Sequence, residues 1–221
     1  MEAEAGSAGR RPHRRPRLSR KERELEFARI VAFSDGVFAI AITLLVLALQ
    51  IPQGVSDLPQ ALKDQLPDFF AFALSFAVLA RIWYFHHRFF GALSRYDHVL
   101  ININFLYLAL VTLVPFTSQV IGDYGEHSEA AILYAVNMSA LGAIGAMMVR
   151  YTFRHGLIDL EDAEALGVRR GAAGWLVAAA FAISIPIALI GANAAELSWF
   201  VLLVGGGLLL RRMEARTRPG R

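Results

Sequence analysis

Residues Arg29 to Leu49 read RIVAFSDGVFAIAITLLVLAL, and no other stretch limits the fold of this chain as strongly. Fourteen residues pass from Gly36 to Leu49 with Thr43 as the sole polar side chain. A helix that crosses a bilayer needs about 20 residues, so the span must reach back through Ser34 and Asp35 towards Phe27. A carboxylate is thereby drawn inside one end of a membrane span. Ionisable groups there are costly and mark a function or a buried partner. The plainer alternative is an Asp resting among headgroups, but Asp35 lies at least two turns in from Phe27.

Composition supports the membrane setting. Hydrophobic residues make up 56% of 221 and charged residues 19%, with a mean hydropathy of +0.45. Soluble domains are less apolar and more charged. With no cysteine there is no disulfide framework and no thiol chemistry. The six His form no metal-ligand pattern, and no phosphate loop or nucleophile elbow is present. An enzyme is not expected, nor is a cofactor.

Apolar segments place six spans, at about 27–50, 67–90, 98–121, 129–151, 171–192 and 195–212. Ser19-Arg20-Lys21-Glu22 is a capping-box pattern, which lets the first helix begin near Arg20. A tight turn near Gly191 joins the last two spans. The expected class is an all-α integral membrane protein with six transmembrane helices and both termini cytoplasmic. Residues 1–18 are expected to form a disordered basic cytoplasmic tail, 19–212 the six-helix transmembrane domain, and 213–221 a second basic cytoplasmic tail.

Charge fixes that orientation. Of 22 Lys and Arg, nine lie in residues 1–29, two in the 88–97 loop, four in the 150–170 loop and five after residue 210. The 51–66 and 122–128 loops instead carry Asp57, Asp64, Asp123 and Glu126. Cytoplasmic loops hold the Lys and Arg excess, and only an even number of spans puts both basic tails inside. The N-terminal GRRPHRRPRLSRKER suits anionic lipid beside a helix better than nucleic acid. No small-residue cleavage site follows the first apolar run, so a removed signal is not expected. The setting is a multi-pass protein of the cell (inner or plasma) membrane.

Helical geometry sorts the first span. At about 100° per residue, Thr43 and Leu47 fall within about 60° of Ile40, while Asp35 points about 140° away. Phe33, Gly36 and Val37 lie on the Ile40 side. Arg29 and Asp35 are six apart, an unfavourable intrahelical spacing. Asp35 therefore needs a partner on another helix, with Arg81, His86, His87, Asn102 and Asn104 as candidates. Periodicity alone also allows the Ile40 stripe to be ordinary core or lipid-facing surface.

Arg29, Phe33, Ser34, Asp35 and Gly36, followed by VFAIAITLLVL, resemble the first-helix signature of the endosomal and lysosomal potassium channel family, in its prokaryotic branch. Trp83, His87 and Arg88 are similar to its second-helix motif. Asp97, Asn104 and Pro115-Phe116 are similar to its third. The resemblance implies a homotetramer whose first helices line a central pore. Ile40 would form the main hydrophobic constriction, Thr43 a hydroxyl ring and Leu47 a further apolar layer. Arg29, Phe33, Ser34, Asp35, His87, Asp97 and Asn104 would form a packing and hydrogen-bond network between helices. No cofactor is implied, only a permeant potassium ion.

An apolar neck gates by dewetting, unlike a filter of backbone carbonyls, and favours the ion that sheds water more cheaply. Potassium holds water less tightly than sodium, so the expectation is a weakly to moderately potassium-selective cation channel. Ile121-Gly-Asp-Tyr-Gly125 only superficially echoes a carbonyl filter, and no arginine ladder of a voltage sensor is present. A secondary transporter, a proton-conducting channel using Asp35, His86 and His87, and a non-conducting membrane scaffold are the competing readings.

Overall fold

A computed structural model of the chain describes residues 19–50, 54, 56–158, 171–199, 201, 202 and 205. Residues 1–18, the acidic stretch Asp159 to Glu164, most of the expected sixth span and the tail at 213–221 lie outside the described residues.

Helix α1 (Arg20–Leu44) starts where the capping box places it. Ser19 Oγ accepts from the Glu22 amide at 3.3 Å, and Glu22 accepts from the Ser19 amide at 2.6 Å, satisfying two end donors reciprocally. A 3-10 turn, Leu45–Ala48, continues it. The acidic loop then holds a short helix α2 (Leu58–Asp64) that the hydropathy pattern does not reveal. Its signal is local: Asp57 caps the Gln60 amide at 3.1 Å, and Pro59 stands in the first turn, where a missing amide costs nothing.

Helices α3 (Leu66–Gly91), α4 (His98–Asp123), α5 (Ser128–Arg154) and α6 (Ala172–Ala188) follow. Among the described residues, four helices are long and apolar enough to cross a membrane: Glu24–Ala48, Asp68–Gly91, His98–Asp123 and Ser128–Arg154. The fifth expected span is the shorter apolar α6, and a further helical stretch at 192–199 follows it. The Ile121–Gly125 motif closes α4 and enters the turn to α5.

The main core joins Phe38 and Ala41 of α1 and Leu45 of the 3-10 turn to Leu79 of α3, Tyr107 and Val111 of α4, Met138 and Leu141 of α5, and Phe181 of α6. A second cluster around Phe89, Phe90, Leu100 and Val149 closes one end of the bundle. At that end Leu93 bridges Ile158, Phe27 stacks on Tyr96 at 5.1 Å, and Tyr96 donates to Glu26 at 3.1 Å. The start of α1, the α3–α4 loop and the end of α5 therefore share one side, together with Arg88, Arg95, Arg150 and Arg154.

Small residues hold α5 against α6. A Cβ on Gly142 would stand 2.7 Å from the Ala178 amide, and one on Gly174 would stand 2.9 Å from the Gly142 carbonyl. Ser139 Oγ donates across the same seam to the Ala178 carbonyl at 2.9 Å. In lipid, where apolar burial gives no drive between helices, such backbone approach and interhelical bonds supply the attraction.

Candidate functional site

Helix α1 and the 3-10 turn that continues it present two chemically different faces. Phe38, Ala41 and Leu45 enter the core, with Ser34 fully buried beside them. The other side carries Ile40 and Leu47, each 61% exposed, Thr43, also exposed, and Phe33 at 54%. Thr43 Oγ1 donates to the Ile40 carbonyl at 2.8 Å, so its hydroxyl is satisfied within the helix and keeps lone pairs to offer. Phe33 packs edge-on against Phe105 at 5.8 Å.

The polar residues behind this stripe divide into three groups. In the first, Ser34 Oγ donates to the Ile30 carbonyl at 3.0 Å and accepts from Asn104 Nδ2 at 3.0 Å. The amide orientation then turns Asn104 Oδ1 towards His86 Nε2 at 2.8 Å. A carbonyl oxygen can only accept, so His86 must carry its proton on Nε2. The ring is 1% exposed and lies over Phe90 at 4.4 Å, with Tyr107 at 5.6 Å. A three-residue chain, α1 to α4 to α3, is thereby bonded from end to end inside the bundle, giving each buried side chain a partner.

The second group holds Asp35. Trp83 Nε1 donates to Oδ1 at 2.9 Å, and His87 Nδ1 stands 3.5 Å from Oδ2. Trp83 and His87 are one turn apart on α3 and share a face, with ring centroids 5.4 Å apart. The two adjacent histidines thus serve different partners: His86 turns inward to Asn104, and His87 meets the carboxylate.

The third group sits at the α4 start. Asp97 Oδ1 caps the Leu100 amide at 2.8 Å, and Oδ2 accepts from the Tyr151 hydroxyl at 2.6 Å. Burial pushes the Asp97 pKa up, but the Tyr151 and Leu100 hydrogen bonds and the nearby His155 outweigh it and hold the group below the usual carboxylate value. Asp97 makes no bond to the Asp35 group. Arg29 is exposed and forms no ion pair among the described residues. The expected single network is thus three separate clusters, with Arg29 outside them. His86 and Tyr151 join it, and Trp83 supplies the Asp35 bond. The WYFHH sequence offered a signal for Trp83, since an indole N–H at helical spacing from a histidine is a fixed donor.

The family described as "Endosomal/lysosomal potassium channel TMEM175" matches residues 29–115, from the signature arginine to the α4 proline. A potassium channel of Chamaesiphon minutus is 41% identical over 129 residues, covering 57% of this chain and 64% of that protein. A potassium channel of Streptomyces collinus is 36% identical over 141 residues, covering 61% and 68% respectively. The match thus takes in just under two thirds of the Chamaesiphon protein and just over two thirds of the Streptomyces one. The crystal structure of a lysosomal potassium-selective channel TMEM175 homolog from Chamaesiphon minutus superposes with a TM-score of 0.63 at 32% identity, covering 83% of this chain and 97% of that one. This is a family of ion channels and not of enzymes, and the chain belongs to it, in its prokaryotic branch.

Proposed function

We propose that this chain is one subunit of a homotetrameric, weakly to moderately potassium-selective channel of the cell membrane, with α1 of each subunit lining the pore. In a chain of this ion-channel family, one observation carries the reading. The stripe of Ile40, Thr43 and Leu47 is exposed on a helix whose opposite face is packed into the chain's own core. One α1 cannot enclose a pore, so copies must supply the rest of the wall. In that assembly Ile40 forms the hydrophobic constriction, Thr43 a ring of hydroxyls one turn further and Leu47 a second apolar layer. The polar groups behind α1 tie the lining helix to α3 and α4 and set its rotation about its axis. Both termini and the basic side of the bundle face the cytoplasm, as the Lys and Arg distribution favours.

A neck of isoleucine resists wetting and passes the ion that sheds its water at least cost. The test is potassium and sodium flux into proteoliposomes at matched gradients, for wild type and Ile40→Asn. Wild type should favour potassium, and Ile40→Asn should raise both fluxes and narrow the ratio between them. An unchanged ratio in Ile40→Asn removes Ile40 from the pore. Uptake that saturates with potassium concentration at slow turnover indicates a transporter.

A further inference from the structure

Two arginines and one tyrosine form a ladder on the outer face of α3. The guanidinium carbons of Arg81 and Arg88 lie 6.0 Å and 5.7 Å from the centroid of the same Tyr84 ring, and Arg88 Nη1 donates to the Tyr84 hydroxyl at 3.4 Å. All three side chains are exposed, and neither arginine has an ion pair among the described residues. Two cations thus flank one aromatic ring, with no anion paired to either among the described residues.

Their depth makes this unusual. Helix α3 has 26 residues, or about 39 Å, against a hydrocarbon thickness of about 30 Å. Arg81 lies ten residues before Gly91, and so about 15 Å from the helix end, inside the span. A bare guanidinium in hydrocarbon is costly, and the side chain leans towards Tyr84 and the basic end, as snorkelling demands. Directly beside the ladder is a cavity of about 580 Å³ between α3, α5 and α6. Its walls include Val78, Ile82, Phe85, Met138 and Phe181, and Arg81 is the one charged side chain among its described lining residues. The volume suits a ligand pocket, and the lining is almost wholly apolar.

We infer that the cavity and the Arg81–Tyr84–Arg88 ladder bind an anionic phospholipid of the inner leaflet. An acyl chain fills the cavity and the headgroup phosphate bridges the two guanidinia over Tyr84. The assignment of leaflet rests on the orientation given under Proposed function. A second copy of this chain is the poorer occupant. Away from the helix ends, Asp35 is the one carboxylate within the described spans, and Trp83 and His87 already hold it. A neutral lipid would fill the cavity and leave both cations unanswered.

The experiment uses the full chain purified in mild detergent and offered phosphatidylglycerol and phosphatidylcholine of equal chain length, with retained lipid counted by native mass spectrometry. Wild type should retain phosphatidylglycerol preferentially. Arg81→Gln/Arg88→Gln should lower its retention by about thirtyfold, about fivefold for each arginine, and leave phosphatidylcholine unchanged. Ala77→Phe, which places a ring in the cavity, should weaken both lipids alike. Millimolar inorganic phosphate should displace neither. The proposal fails if the double variant keeps the wild-type preference, if free phosphate alone competes the lipid away, or if Ala77→Phe has no effect. It also fails if the double variant loses its oligomer on gel filtration while remaining folded, since the arginines would then be subunit contacts. Potassium flux is measured on the same preparations. Protein that passes no potassium yet keeps the lipid preference rejects the channel and leaves this site standing.

Discussion

Asn104 holds both of its neighbours: its Nδ2 satisfies Ser34 and its Oδ1 fixes the proton on His86. Removing it strands the buried Nε2 proton of His86, at about 1–3 kcal/mol, and takes one of the two bonds of the Ser34 hydroxyl, beyond the packing lost. Asn104→Ala should therefore lower the thermal midpoint in detergent more than Ser34→Ala or His86→Phe. The phenylalanine keeps the stack on Phe90 and strands only Oδ1. Equal shifts in all three would show that the chain of bonds does not act as a unit. The residues of this chain were legible in the sequence as types, since buried Ser, Asn and His need partners. Their pairing was not. Adjacent positions on a helix point about 100° apart, so which of His86 and His87 turns inward depends on the rotation of α3 about its axis. That rotation is set by Leu79, Phe89 and Phe90 entering the core, a tertiary fact that no local spacing carries.

Among the elements, the start of α1 and the four long helices follow from capping chemistry and hydropathy, both local properties of the sequence. The α5–α6 seam does not. Glycines occur throughout the chain, and only the packed structure separates those another backbone crowds from those with open space. Gly142 is crowded, whereas nothing lies within 4 Å of a Cβ built on Gly122 in α4. The two should respond oppositely to alanine. Gly142→Ala forces a methyl against the Ala178 amide and must push α6 away, breaking the Ser139 bond as well. It should lower the thermal midpoint clearly. Gly122→Ala meets no obstacle and adds helix propensity of up to about 1 kcal/mol, so it should be neutral or stabilising. Similar losses for both would mean that the close approach does not hold these helices together. Helix α2 was missed for the converse reason: at seven residues it is too short for periodicity, and its Asp57 cap and Pro59 announce it instead.

For the whole molecule, the question is what covers the exposed stripe of α1. A stripe of Ile40 and Leu47 satisfies lipid as well as it satisfies a pore, so exposure alone does not choose between them. Symmetry does. In a closed ring of identical subunits a lining residue approaches its own copies around the axis, whereas a lipid-facing residue is carried to the periphery and kept apart from them. The chain contains no cysteine, so a single introduced thiol reports its own position without background. Ile40→Cys should form intersubunit disulfides, or short bismaleimide cross-links, giving dimers on a denaturing gel. Phe70→Cys, on the exposed face of α3, should stay monomeric under the same oxidant. A disulfide requires Cα atoms about 4.4–6.8 Å apart, so the direct bond reports the narrowest arrangement and the longer reagent reports a wider neck. Coupling the reading to flux completes the argument. A charged thiol reagent added to Ile40→Cys proteoliposomes should block potassium entry in proportion to labelling, and reduction should restore it. Labelling that goes to completion with no change in flux, together with no cross-link of either kind, would place Ile40 against lipid and leave α1 outside the pore.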